Sequence, residues 1–297
     1  MNIDKWLKNN TKSLDGKTVA ITGATGGLGE ELCLYLASLS ARLIIIYRSN
    51  KKAEALKSRI LASHPNAELT FIEADLEDMG SVKAATDKLS QLSVDILILN
   101  AGAYSIPRRI TSCGYDNVFT INFISQYYMA RRLAPHIKAV GGRIVAVSSI
   151  AHNYSKSRPE DLDFRNVTAS SRVYGNAKRY ITFALARLLE GEDTLSIVHP
   201  GISFTGITNH YPPLIFALIK HPMKWIFMKP KTACLSIVKG IFKPTPEGFW
   251  IGPSLFDVWG NPKYKPLKTA KAGEIERIFS VAEEIAGEIY NKIDLIK

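Results

Sequence analysis

From Gly16 to Gly201 the chain alternates strand-length apolar runs with longer segments of helical period, and few architectures accommodate that alternation. TVAIT is followed by Gly27–Ser40, RLIIIY by Lys51–Ser63, and LTFIEA by Met79–Leu92. VDILILN is followed by a segment from about Tyr115 to Lys138, GRIVAVSS by one around Val173–Leu189, and then comes LSIVHPG. Strand then helix, repeated, predicts βαβ crossovers and therefore a parallel sheet. The runs are apolar throughout rather than at every second position, as strands covered on both faces must be. Beyond Gly201 the pattern weakens. A short helix is expected at Thr232–Ile241, FWIG reads as a further strand, and Gly273–Ile293 as a surface helix. Its Ile275, Ile278, Phe279, Val281, Ala282 and Ile285 fall on one face. The expectation is an α/β, doubly wound parallel sheet of about seven strands with helices on both faces. No repeat, charge block or Gly/Ser linker interrupts the first 200 residues and no convincing internal boundary follows, so 1–297 reads as a single domain.

Composition narrows the class. With 46% hydrophobic and 22% charged residues, and only 20 Gly and 14 Pro, the chain is neither disordered nor fibrous. Cys33, Cys113 and Cys234 are odd in number and far apart, which makes neither a disulfide framework nor a zinc cluster and fits a reducing, cytoplasmic setting. The opening MNIDKWLKNNTKSLDGK lacks the apolar core of a secretory leader. The greasy stretch Tyr211–Met228 is interrupted by Pro212, Pro213, Lys220, His221, Pro222 and Lys224, so no transmembrane helix is expected. The 38 Lys and Arg against 27 Asp and Glu leave a net charge of 38 − 27 = +11. These cations are spread over the whole chain with no nucleic-acid motif, which disfavours a nucleic-acid partner. The histidines show no metal-ligand spacing, and His199, before Pro200, reads as a strand-end residue.

TGATGGLG, Thr22 to Gly29, joins the first strand to the first helix, where a phosphate cradle belongs in a doubly wound sheet. Gly23, Gly27 and Gly29 allow a sharp turn and close approach of backbone to a pyrophosphate, and the helix behind presents free N–H groups. The alternative is a tight turn with no ligand. The spacing is G-x3-G-x-G, a different turn from G-x-G-x-x-G but suited to the same task. An acid at the end of the second strand would take a ribose 2′-hydroxyl. Here that strand ends in Tyr47 and Arg48, with Lys51 and Lys52 beyond, which favours a 2′-phosphate, and so NADP over NAD. The plainer reading of Arg48 is a solvated cation.

Tyr174 and Lys178 stand four apart at the start of a helical segment, which puts both on one face. A nearby ammonium would favour the anion of a tyrosine that otherwise ionises near pH 10. Ser148-Ser149 closes the fifth strand, so a hydroxyl at Ser149 would sit at the carboxyl edge of the sheet. Asn122 lies between Ile121 and Phe123 in the preceding helix and needs a partner if buried.

With TGATGGLG, LNAG, SS, YGNAK and HPG in this order, the chain resembles the short-chain dehydrogenase/reductase family over about 16–205. The resemblance implies a Rossmann-type nucleotide-binding sheet, with Tyr174 as general acid/base, Lys178 as its tuner and ribose binder, Ser149 orienting a carbonyl, and Asn122 holding a proton-relay water. It further implies that Thr25, Gly26 and Leu28 share the phosphate turn with Gly23, Gly27 and Gly29. Asp75 and Leu76 would lie near the adenine, Asn100, Ala101 and Gly102 would line the cofactor pocket, and Pro200, Gly201 and Thr205 would grip the nicotinamide. Leu99 stands where the family more often has a second asparagine. The 24 residues from Ile150 to Val173, between Ser149 and Tyr174, are similar to the insert of the retinol-dehydrogenase and WW-domain-oxidoreductase branch, and their polar content reads as a surface loop.

The function expected from this resemblance is NADP-dependent hydride transfer between a hydrophobic ketone or aldehyde and its alcohol, with Tyr174 supplying the proton. The alternatives are a hydroxysteroid dehydrogenase using NAD and a non-catalytic NADP(H) sensor. Residues 206–230 are expected to cover the substrate; a packed core helix and a helix resting on a membrane surface are the other readings. In the family, subunits commonly pair through the helices corresponding to Tyr115–Lys138 and Val173–Leu189, which makes a homodimer an expectation.

Overall fold

The apolar runs become the parallel strands β1 Thr18–Thr22, β2 Arg42–Tyr47, β3 Leu69–Glu73, β4 Ile96–Leu99, β5 Arg143–Val147, β6 Leu195–Val198 and β7 Phe249–Leu255. An eighth, β8 Trp259–Pro266, returns antiparallel to β7. The order is β3-β2-β1-β4-β5-β6-β7-β8 in one sheet. In this computed structural model residues 2–167, 169–201, 228–267 and 270–294 are described.

Side chains alternate across the central strands β1, β2, β4, β5 and β6, and there both sets are buried. Val19, Ile21, Leu43, Ile45, Ile96 and Ile98 pack on one face against helices α2 Gly27–Ser38 and α3 Asn50–Ser63, and against α8 Pro230–Phe242. Ala20, Ile44, Ile46, Leu97 and Leu99 pack on the other face. There they meet α4 Met79–Ser90, α6 Ser125–Ala139, α7 Ser170–Leu188 and α9 Ala272–Asp294. Two covered faces are why the strands read as unbroken apolar runs. A short N-terminal helix, α1 Ile3–Asn10, is capped by the Asn2 side chain and buries none of its residues.

The strand count departs from expectation. WGNPKYKP carries two prolines and two lysines and no regular apolar alternation, because β8 is an edge strand, where those residues are tolerated and protect an open edge. The long helical segment is α5 Asn117–Phe119, then a π turn Thr120–Ile124, then α6. The insert before Tyr174 is more than a surface loop. It opens as a 3₁₀ turn, Ile150–Tyr154, and sends Phe164 and Val167 into the core, with the Phe164 ring centroid 5.2 Å from that of Phe119. Arg108 holds it, donating to the carbonyls of Phe164 and Val167 while its Nε bonds Asp116 at 2.7 Å.

Helix α9 is amphipathic as expected, and it buries Ile278, Ala282, Ile285 and Ile289 against the chain's own long helices. Glu283 accepts from Arg131 and from Tyr127 of α6, and Glu274 takes a bidentate pair from Arg179 of α7. The C-terminal helix thus packs against both of the helices expected to pair two subunits. No helix among the described residues is long and apolar enough to cross a membrane.

Candidate active site

The sheet reverses its winding between β1 and β4, and the crevice outside their carboxyl ends is where a doubly wound sheet offers a ligand site. Thr22, the last residue of β1, accepts hydrogen bonds from the backbone N–H groups of Asn100 and Ala101, each at 3.0 Å. Asn100 Nδ2 returns the link, donating to the carbonyls of Thr22 and Gly23 at 3.1 Å. This lacing presses the glycine turn against the end of β4. Gly23 has φ +64°, and a Cβ there would lie 2.7 Å from Ala101 Cα. At Gly29 a Cβ would strike the Gly23 carbonyl and Ala24. Gly26 caps α2 and Gly27 begins it, both exposed, and among the described residues no side chain caps the helix. Thr25 and Leu28 sit in the same turn. The result is an open helix N-terminus behind a backbone with no Cβ obstruction, the chemistry that receives a phosphate.

Arg48 leaves the end of β2 with its side chain 64% exposed, 3.8 Å from Asp75 Oδ1 and 3.7 Å from Glu77 Oε1. The Arg48–Asp75 pair, long and exposed on both sides, contributes roughly 0–1 kcal/mol, and the more buried Glu77 is also paired with Arg109, so the Arg48 guanidinium is open to a competing phosphate. Asp75 Oδ1 accepts from the Glu77 N–H at 3.0 Å, and the Leu76 carbonyl accepts from Ser125 Oγ at 2.6 Å, which fixes the far wall of the crevice.

Across the crevice, Ser149 follows β5, and its Oγ accepts from the Ala151 N–H at 3.2 Å. Gly175 lets α7 meet this turn closely, since a Cβ there would lie 2.7 Å from the Ala151 carbonyl. Tyr174 and Lys178 project from one face of α7. Lys178 Nζ lies 5.7 Å from the Tyr174 ring centroid and donates to the Val147 carbonyl at 2.8 Å. Asn122 Oδ1 is buried with no partner among the described residues, while Asn122 Nδ2 donates to the carbonyls of Ala103 and Val118 at 2.8 Å. A Cβ on Gly102 would lie 3.0 Å from Asn122 Oδ1 and 3.7 Å from Lys178 Nζ, so both polar ends converge on one small residue. Pro200 and Gly201 follow β6. Gly201 has φ +82°, and a Cβ there would meet the Val258 carbonyl and Met228 at 2.9 and 3.0 Å. Thr205 and nearly all of 206–230 lie outside the described residues.

Burial pushes the Tyr174 phenol up to about 12, with the Ser149 hydroxyl pulling the other way and Tyr104, whose ring meets it edge-on at 5.3 Å, adding to the rise. The direction is opposite to that expected from an adjacent ammonium. Lys178 is itself buried, and desolvation lowers it to about 8, which weakens the attraction it can offer. At neutral pH this leaves a phenol that holds its proton and an amine that is still largely charged.

Three positioning groups were not visible from motif spacing. Gln126 Nε2 donates to the carbonyls of Ala101 (2.9 Å), Ile121 (3.1 Å) and Asn122 (3.3 Å), and its Oε1 accepts from Thr22 Oγ1 at 3.2 Å. It thereby satisfies carbonyls around the π turn and ties Asn122 to the glycine turn. Its position four residues after Asn122 was the available signal. His152 Nδ1 donates to the Ser149 carbonyl at 2.6 Å, since a carbonyl only accepts. Arg179, paired with Glu274, donates to the His152 carbonyl at 3.1 Å, so α9 braces the serine turn through two intermediates. His199 is stacked on Trp250 at 5.1 Å and lowered by burial to about 4, as suits a strand-end residue.

The family model for short chain dehydrogenases matches residues 17–158. Mouse retinol dehydrogenase 14 is 32% identical over 234 residues, 73% of this chain and 70% of that one. Among solved structures, an uncharacterized protein of Mycobacterium Paratuberculosis superposes with a TM-score of 0.74 over 94% of this chain and 96% of its own, at 24% identity. A short-chain dehydrogenase from Sphingobium yanoikuyae in complex with NADPH gives 0.55 over 75% and 84%, at 21% identity.

Proposed function

This chain belongs to the short-chain dehydrogenase family and is an oxidoreductase of that family, and on that premise we propose that it interconverts a hydrophobic ketone or aldehyde and its alcohol with NADP. The observation that carries the reading is the meeting of Lys178 and Asn122 beside Gly102, with the Tyr174 ring next to Lys178 and its hydroxyl on Ser149, across the crevice from the glycine turn.

The residues present fit a dinucleotide. Gly23, Thr25, Gly26, Gly27, Leu28 and Gly29 would hold the pyrophosphate at the helix N-terminus. Asp75 and Leu76 would flank the adenine, Asn100, Ala101 and Gly102 the middle of the crevice, and Pro200, Gly201 and Thr205 the nicotinamide end. Arg48, with no carboxylate at the end of β2, favours the 2′-phosphate of NADP; the fold neighbour from Sphingobium yanoikuyae is in complex with NADPH. When bound, the dinucleotide supplies or accepts the hydride.

Ser149 Oγ orients the substrate oxygen. In reduction, the Tyr174 phenol, kept protonated by burial, passes its proton to that oxygen as general acid. The Lys178 ammonium then stabilises the phenolate, and the unpartnered Asn122 Oδ1 offers the acceptor for a water that restores the proton. Oxidation reverses these roles. A hydrophobic substrate is supported by the apolar content of 206–230, read as its cover, and by the naming of the mouse relative for retinol. The setting that suits such a substrate is cytoplasmic with peripheral membrane contact. A panel of lipophilic aldehydes and ketones with NADPH or NADH, read by the absorbance of reduced nicotinamide, tests the proposal. Turnover with NADPH is expected; cofactor binding with no turnover of any substrate would mean a sensor instead.

A further inference from the structure

We propose that the tip of the β7–β8 hairpin is a docking element that seats the carboxyl edge of the sheet on an anionic lipid surface. The inference names a partner for the edge at which the proposed site opens, and it rests on that reading only for its purpose.

The turn is Leu255–Val258, closed by the Val258 N–H donating to the Leu255 carbonyl at 3.0 Å. Its central residues, Phe256 and Asp257, have φ of +52° and +58°. Two consecutive left-handed residues make the hairpin turn that ordinarily takes Asn, Asp or Gly first. A phenylalanine there is strained, because its Cβ crowds the following carbonyl, and it gains no packing in return: Phe256 is 85% exposed. Leu255 beside it is 55% exposed and Trp259 39%. Three large apolar side chains within five residues, one of them held against local preference, mark a contact surface rather than a solvated turn.

The tip stands at the substrate edge. β7 runs parallel to β6, so its end lies at the carboxyl side. The Val258 carbonyl, Pro253 and Met228 all close on Gly201, within 3.0 Å of where its Cβ would be. Charge selects the occupant. Lys229 and Lys231 are exposed at the start of α8, directly after Met228, whose Sδ closes on Gly201 together with the Val258 carbonyl of the turn, so positive charge lies on the same edge as the tip. The one acid in the turn, Asp257, is paired with Lys265 at 2.7 Å. An aromatic and aliphatic tip beside lysines, on a chain of net charge +11, matches an acyl boundary under anionic headgroups. With no crossing helix among the described residues, the contact would be peripheral.

Vesicle flotation with the full chain tests this, using phosphatidylcholine vesicles with and without phosphatidylserine. The chain is expected to float with the anionic vesicles. Phe256→Asn, which puts a residue at home in this turn, should lose at least tenfold in partitioning, about 1.4 kcal/mol, with no fall in melting temperature. Lys229→Glu combined with Lys231→Glu should abolish the preference for phosphatidylserine. Equal flotation of Phe256→Asn and the parent chain would overturn the proposal. So would absence of parent-chain binding to either vesicle, which would leave the tip to a protein partner. Reduction of a short water-soluble carbonyl should be unchanged in Phe256→Asn. If no carbonyl is turned over by either protein, the proposed function fails while the flotation result stands on its own.

Discussion

Replacing Lys178 by methionine should make the protein more stable at neutral pH, although Lys178 belongs to the proposed site. The side chain is 2% exposed, and desolvation lowers its pKa from 10.5 to about 8. The unfolded chain holds this proton up to pH 10.5 and the folded chain only to about 8. Between those values the unfolded state binds more protons, so stability rises with pH, and the cost of burying the cation is complete below pH 8. At pH 7 that cost is about 3 kcal/mol. Methionine keeps the apolar stem but leaves the Val147 carbonyl without its 2.8 Å donor, a loss of about 1 kcal/mol. Lys178→Met is therefore expected to gain about 2 kcal/mol at pH 7, with the two proteins about equal near pH 10. Urea denaturation of both at these two pH values measures the gap. A variant less stable than the parent at pH 7, or a gap that does not change with pH, would refute the reasoning.

Two further outcomes follow from the crevice. Arg48→Ala should weaken NADP by tenfold or more, about 1.4 kcal/mol, while leaving NAD nearly unaffected, as read by titration of each cofactor; equal losses would remove the basis for NADP preference. Gln126→Leu should cost roughly 2–3 kcal/mol in denaturant unfolding, because the carbonyls of Ala101, Ile121 and Asn122 lose their common donor, and should weaken cofactor binding in parallel. Unchanged stability would show that those carbonyls find other partners.

Much of this architecture is legible in the sequence because burial on both faces writes itself as uninterrupted apolar runs, as in RLIIIY and VDILILN. The glycine turn is equally legible, since Gly23 and Gly29 are demanded by backbone contact rather than by fit to a ligand alone. What escapes detection has physical causes. β8 carries the signals of a protected edge, not of a core strand. Phe164 and Val167 enter the core from a polar segment, where two apolar residues make no period. The upward shift of Tyr174 comes from desolvation and from Tyr104, and the lowering of Lys178 from its burial, neither of which a four-residue spacing encodes. Gln126 and His152 act through backbone carbonyls, so their roles appear only when distant loops meet.

The account turns on Tyr174 as the proton donor, and Tyr174→Phe tests it most directly, because phenylalanine keeps the ring and its contact with Tyr104 while removing only the hydroxyl. NADPH oxidation with an active carbonyl substrate should fall on the order of a thousandfold, with NADPH affinity, measured by fluorescence titration, essentially retained. Turnover at the parent rate would show that the proton comes from another group and would contradict the mechanism.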